Sequence, residues 1–216
     1  MKKLITLLLL AVASHSFGQK VIYDANANKR EIPSFHGISA STGVEVIIAQ
    51  GEKEGLAVST SAAEFDKLVI TEVKDGILKI HVDADWKVWK LPKNWKVKAY
   101  VSYKQLDQLK ASSGASIKGD IQLSSLSAHQ SSGGFMVLKG TVDKLEVDAS
   151  SGGIFKGYDL TANTLEADAS SGGAVQVTVV KEVNAEASSG GSVNFKGNAV
   201  IKSIDVSSGG SVKKVQ

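Results

Sequence analysis

Carboxylates recur at Asp148, Asp168, Glu186 and Asp205, each two places before a serine that opens the same four-residue word. Glu146 and Glu166 stand two places earlier still. If successive copies stack, these side chains form outward columns of like charge about 5 Å apart, each pair repelling by somewhat under 1 kcal/mol in water. A divalent cation such as calcium, bound weakly, or a basic partner would remove that cost. A plain solvated face is the competing reading, eased by Lys156, Lys196 and Lys213 on the following strand. A second group lies upstream, where Trp86, Trp89 and Trp95, the only tryptophans, alternate with Lys87, Lys90, Lys93, Lys96 and Lys98 and are followed by Tyr100 and Tyr103. Aromatic planes stack on sugar rings and lysines hold acidic groups, which suits glycan binding. The same residues would equally cover one end or side of a core, with lysine facing solvent.

Catalysis finds less to work with. Polysaccharide lyases and hydrolases need a basic proton acceptor or paired carboxylates in a groove, and here carboxylates come as a regular ladder. His15 falls in an N-terminal leader, while His36, His81 and His129 are far apart in sequence, without metal or triad spacing. No cysteine exists, which removes thiolate chemistry, disulfides and a lipid anchor at a cleavage site. Arg30 is the only arginine, so bidentate capture of phosphate or carboxylate is not expected. Without the two leader lysines, 23 basic residues face 22 acidic ones, a balance that argues against nucleic acid as a partner. No catalytic residue, cofactor or dedicated metal site is predicted.

The elements that hold these residues follow from the word itself. Ser112-Ser113-Gly114-Ala115 is followed by Ser-Ser-Gly-Gly beginning at Ser131, Ser150, Ser170, Ser188 and Ser207, at steps of 19, 19, 20, 18 and 19 residues. A nearly fixed period of this size predicts coils stacked on coils. Before each word Leu145, Val147 and Ala149, then Leu165, Ala167 and Ala169, then Val183, Ala185 and Ala187 alternate with polar residues, the period of a half-buried strand. Five places after each first serine, Ile117, Met136, Phe155, Val175, Val193 and Val212 mark a second inward strand. The word is the corner between them, with glycine for positive φ and close backbone approach. Continued alternation through the corner predicts a buried ladder of second serines. These glycines lead into strands, so they are not a phosphate-cradling loop.

Lys2 and Lys3, the apolar run from Leu4 to Ala13, and small residues at Ser16 and Gly18 read as a secretory signal over residues 1–18. The run is too short for a membrane span and no later segment approaches one, so export as a soluble protein is expected, to the periplasm, outer-membrane surface or medium. Residues 19–34 read as a lead-in and 35–216 as a single solenoid domain, less regular over 35–108 and repetitive over 109–216. Strands are expected at Val44 to Ala49, Leu56 to Thr60, Leu68 to Val73 and Ile77 to Val82, with a hairpin at Asp75-Gly76 and only Ala62 to Lys67 briefly helical. Ile38-Ser39-Ala40-Ser41-Thr42-Gly43-Val44-Glu45-Val46 reads as a worn copy of the later word, where the winding is expected to begin. No capping segment follows the sixth coil, so its edge is either guarded by Lys213 and Lys214 or is a docking end for another chain.

The opening from Phe35 to Val46, the turn Ala49-Gln50-Gly51, the strand pair around Asp75-Gly76, and Val97 to Leu109 running into Ala111-Ser112-Ser113-Gly114-Ala115 form a recognisable pattern. It resembles the putative auto-transporter adhesin head GIN domain family, exported proteins common in Bacteroidetes and formerly a domain of unknown function. The resemblance covers about residues 30 to 216 and implies an all-β fold, a right-handed single-stranded parallel β-helix. Its motifs are structural, and it carries no active site over to this chain. The expected function is a non-catalytic envelope protein, an adhesin or scaffold for glycan or protein. A carbohydrate-active β-helix enzyme and a periplasmic structural or regulatory partner are the alternatives.

Overall fold

The computed structural model describes residues 24, 26–61, 63–83 and 95–216. The leader, Trp86 and Trp89 lie outside them. The first half supplies strands β1 (Ala27–Arg30), β2 (Gly37–Ala40), β3 (Glu45–Gln50), β4 (Gly55–Thr60), β5 (Val69–Lys74), β6 (Ile77–Val82), β7 (Val97–Tyr103) and β8 (Gln108–Ala111). The second supplies β9 (Ser116–Gln130), β10 (Phe135–Ala149), β11 (Ile154–Ala169), β12 (Ala174–Ala187), β13 (Ser192–Lys196), β14 (Val200–Val206) and β15 (Ser211–Lys214). A 3-10 turn at Ala63–Leu68 is the only helical element among the described residues. The fold is a parallel β-solenoid of about six turns with coils of about 19 residues.

Strands β9 to β12 are long because each runs through a bend and belongs to two faces. Their registers are parallel throughout, from Phe135 beside Ile154 to Ala149 beside Ala169. Inward columns such as Leu126, Leu145, Leu165 and Val183 are buried, and their outward neighbours are polar. Alanine columns keep the section thin, and the largest fully buried side chains are Tyr103, Phe155 and Phe195. Ile201, Ile204 and Val206 continue the inward columns of Val183, Ala185 and Ala187 on the last described coil but are exposed, because no described residue packs over it.

The corner departs from the expected alternation. Within Ser170–Gly173, Ser171 and Gly172 both take left-handed backbone, with φ of 48° and 75°, and the Gly173 N–H donates to the Ser170 carbonyl at 2.8 Å. Two successive left-handed residues make a type I′ turn. They also break the period of two, so Ser113, Ser132, Ser151, Ser171, Ser189 and Ser208 point to solvent rather than inward. The expected buried hydroxyl ladder is therefore replaced by a backbone ladder, in which the Gly172 N–H, for example, donates to the Ser189 carbonyl of the next coil at 3.2 Å. Thr42 and Gly43 repeat the same conformation, with φ of 58° and 73°, and Gly43 donates to the Ser113 carbonyl at 3.0 Å. The winding thus begins at the worn copy.

The first half also closes the other end of the stack. On one face β5 pairs antiparallel with β6 across the Asp75-Gly76 hairpin. On the other, β4 runs antiparallel to β7, and β1 antiparallel to β4. Antiparallel strands laid on the parallel edge satisfy its open backbone groups. Arg30 ties this end together: its guanidinium donates to the carbonyls of Val69 and Asp66 and the Thr71 hydroxyl, and stands 3.3 Å from the Asp66 carboxylate. The strand pattern ahead of residue 35 escaped sequence reading because β1 is only four residues long and half exposed.

Candidate functional site

Register brings the predicted carboxylates together. Asp148 lies beside Asp168, Asp168 beside Glu186, and Glu186 beside Asp205, each on the next coil. Followed the other way, the same column passes from Asp148 to His129, Lys110, Ser39 and Lys79. One outward line of nine strands therefore runs from Glu72 on β5 through basic Lys79 and Lys110 to acidic at Asp205. The flanking column holds Gln108, Ser127, Glu146, Glu166 and Asn184 in that order. These two columns floor two shallow depressions of about 480 and 470 Å³ that meet at His129 and Asp148. The acidic half is visible in the sequence from its period; the basic half is not, because Lys79, Ser39 and Lys110 reach the column through irregular connections.

Lys156, Lys196 and Lys213 do not neutralise the carboxylates, as they lie beyond the corner on the other face. Lys156 sits over the Phe135 ring at 5.3 Å and Lys196 over the Tyr158 ring at 4.9 Å. The contact nearest to these carboxylates within the column is instead His129, whose Nδ1 stands 3.7 Å from Asp148 Oδ2. His129 Nε2 also meets Ser127 Oγ at 3.0 Å. Serine, histidine and aspartate thus lie in triad order, a juxtaposition hidden in the sequence because one coil separates Asp148 from His129. Chemically the arrangement is incomplete. At 3.7 Å the carboxylate does not accept a hydrogen bond from the ring. The strand carrying Ser127 is paired on both sides, with Gln108–Ala111 and with the strand through Asp148, so its backbone N–H groups are spent in the ladder and cannot form an oxyanion hole. His36 finds a carboxylate too, with Nδ1 2.7 Å from Asp107 Oδ1, on the exposed surface.

Metal chemistry has no preformed centre: among the described residues no three His, Cys, Asp or Glu side chains converge on one point. Neighbouring column carboxylates share one outward plane, which leaves a cation mostly water as ligands. Trp95 is half-buried against the core and meets Phe65 edge-on, ring centroids 6.0 Å apart at 75°, with its indole N–H unpaired. Trp86 and Trp89 lie outside the described residues. Tyr100 donates from its hydroxyl to Asp24 at 2.8 Å; burial and that carboxylate push the phenol up to about 12, while the same bond lowers Asp24.

A family model described as putative auto-transporter adhesin, head GIN domain, matches residues 34–199. The chain belongs to this family. The head GIN fold is also seen in a putative adhesin from Bacteroides fragilis, 19% identical with a TM-score of 0.65, the match covering 88% of this chain and 96% of that one. A putative adhesin from Parabacteroides merdae is 15% identical with a TM-score of 0.53, covering 88% of this chain and 95% of that one. No curated protein matches the sequence. Identities this low establish the common head GIN fold and leave the surface residues to each protein. Among the described residues no helix is long and apolar enough to cross a membrane.

Proposed function

We propose that this head GIN protein is an exported, non-catalytic scaffold of the cell envelope that binds glycan or protein through the repetitive outer surface of its solenoid. One observation carries the reading: outward side chains stand in straight columns at strand spacing on an open face, while the interior is filled by packed side chains. Such a surface offers many equivalent contacts to an extended ligand, and catalysis would instead require convergent groups around one reacting atom. The family's description as an adhesin head agrees with it. The reading needs no cofactor, and calcium on the carboxylates would act as a weak bridge only.

The experiment compares the protein with two variants on arrayed glycans and on separated envelope proteins. One variant carries Glu146→Gln, Asp148→Asn, Glu166→Gln and Asp168→Asn; the other carries Trp86→Ala and Trp89→Ala. Binding by the protein, lost in at least one variant whose melting temperature is unchanged, is the expected result. The second reading, a carbohydrate-active enzyme, is favoured by the contact of His129 with Ser127. Release of new reducing ends or unsaturated sugars from a polysaccharide, abolished by His129→Ala, would establish it and overturn the scaffold. Protease treatment of intact cells, followed by fractionation, tests the compartment.

A further inference from the structure

The charged column is complementary to itself. From Lys79 onward its eight positions, in stacking order, are Lys79, Ser39, Lys110, His129, Asp148, Asp168, Glu186 and Asp205. A twofold axis parallel to the strands, passing between His129 and Asp148, reverses this order in a second copy laid face to face. Lys79 then meets Asp205 of the other copy, Ser39 meets Glu186, Lys110 meets Asp168, and His129 meets Asp148. The flanking column obeys the same operation, setting Gln108 against Glu166 and Ser127 against Glu146, so each carboxylate within these eight strands faces a hydrogen-bond donor. No like charges stand directly opposed. An interface that contacts itself through one patch is isologous and closes at two copies. We infer that this face is the docking surface for a second copy of the chain.

The footprint sets the strength. Eight strands about 4.8 Å apart span about 34 Å, and four or five residues of strand add about 15 Å of width. That is about 500 Å² per copy and about 1,000 Å² in total, the lower limit for a specific contact. Strands of the two copies lie along one direction, within the range of aligned sheet packing. Charge tempers the contact further, since the acidic half bears Glu146 and Glu166 besides the column carboxylates. Glu72, beside Lys79 on β5, lies past the footprint. The dimer is thus weak and electrostatically steered, forming at sub-millimolar protein.

Charge reversal tests it by sedimentation velocity on the protein as recovered from expression. Asp168→Lys removes a repulsive neighbour within the chain, so it raises the melting temperature; across the twofold it opposes Lys110 and weakens self-association by about tenfold. Lys110→Glu weakens it likewise. An equimolar mixture of the two variants regains the dimer, because the carboxylate introduced in one faces the ammonium introduced in the other, and the doubly reversed chain regains it alone. Glu146→Gln with Glu166→Gln tightens it by removing the acidic excess. A protein that stays monomeric at sub-millimolar concentration overturns the inference. So does a dimer indifferent to both single reversals, or one abolished by Ile204→Lys alone, which would mark the open last coil as the contact.

Discussion

The two glycines of each Ser-Ser-Gly-Gly word do different work, and substituting them one at a time separates conformational strain from steric exclusion. In Ser170–Gly173, Gly172 has φ of 75° and open space around its Cα, with nothing within 4 Å of an added Cβ. Gly172→Ala therefore costs only the left-handed conformation, about 1–2 kcal/mol, partly offset by the stiffer unfolded chain. A net loss of about 1 kcal/mol is expected. Gly173 differs: a Cβ there would lie 1.9 Å from the Ala149 carbonyl oxygen, where ordinary contact begins at 3.4 Å. The obstacle is backbone, and that oxygen accepts the Ser170 N–H at 2.9 Å, so yielding by about 1.5 Å breaks the corner bond. Overpacking adds about 1–3 kcal/mol and an unsatisfied carbonyl about 1–3 more, giving about 4 kcal/mol. With a urea slope of about 2 kcal/mol/M, the midpoints fall by about 0.5 M for Gly172→Ala and about 2 M for Gly173→Ala. Gly172→Asn, tolerant of the left-handed region, serves as the control and stays near the parent. Equal losses at the two glycines, or a larger one at Gly172, would refute this account of the corner.

Gln130 is buried in a column otherwise built from Ala111, Ala149 and Ala169, and its Oε1 lacks a partner while Nε2 reaches Met136 Sδ at 3.1 Å. Gln130→Leu, which removes that unsatisfied amide at similar volume, raises stability by about 1 kcal/mol in thermal unfolding. Arg30→Lys keeps the charge but loses the fork that reaches Val69, Asp66 and Thr71; it costs about 2 kcal/mol by denaturant titration, nearly as much as Arg30→Ala. Burial, then Asp120, pushes the Tyr103 phenol up to about 12. Because the unfolded phenol ionises near 10, the folded state holds the extra proton between those values and stability falls as pH rises through that window, read by chemical denaturation alongside phenolate absorbance.

Much of the solenoid was legible because its signals are local. A strict period of two fixed which face of Leu145 to Ala149 is buried, and a period near 19 fixed that Asp148, Asp168, Glu186 and Asp205 share a line. The corner was misread in one respect for a definite reason. Alternation was carried through Ser170–Gly173 as though the chain stayed extended, whereas two left-handed residues reset the phase and turned the second serine outward. The candidate site was half legible. Its acidic half repeats; its basic half is assembled from β6, β2 and β8, in an order that the sequence does not follow.

Architecture follows from the order of residues alone, since burial pattern and corner glycines are set by neighbours a few residues away and repeat until no other fold can use them. The electrostatics of the face arise only in the folded molecule. Which charges stand side by side depends on register between strands that are distant in the chain, as with Lys110 and His129 or His129 and Asp148. Coulomb energy depends on that through-space distance and is indifferent to separation along the sequence. The change from basic to acidic along one column, and the self-complementarity that follows, exist only once the coils are stacked.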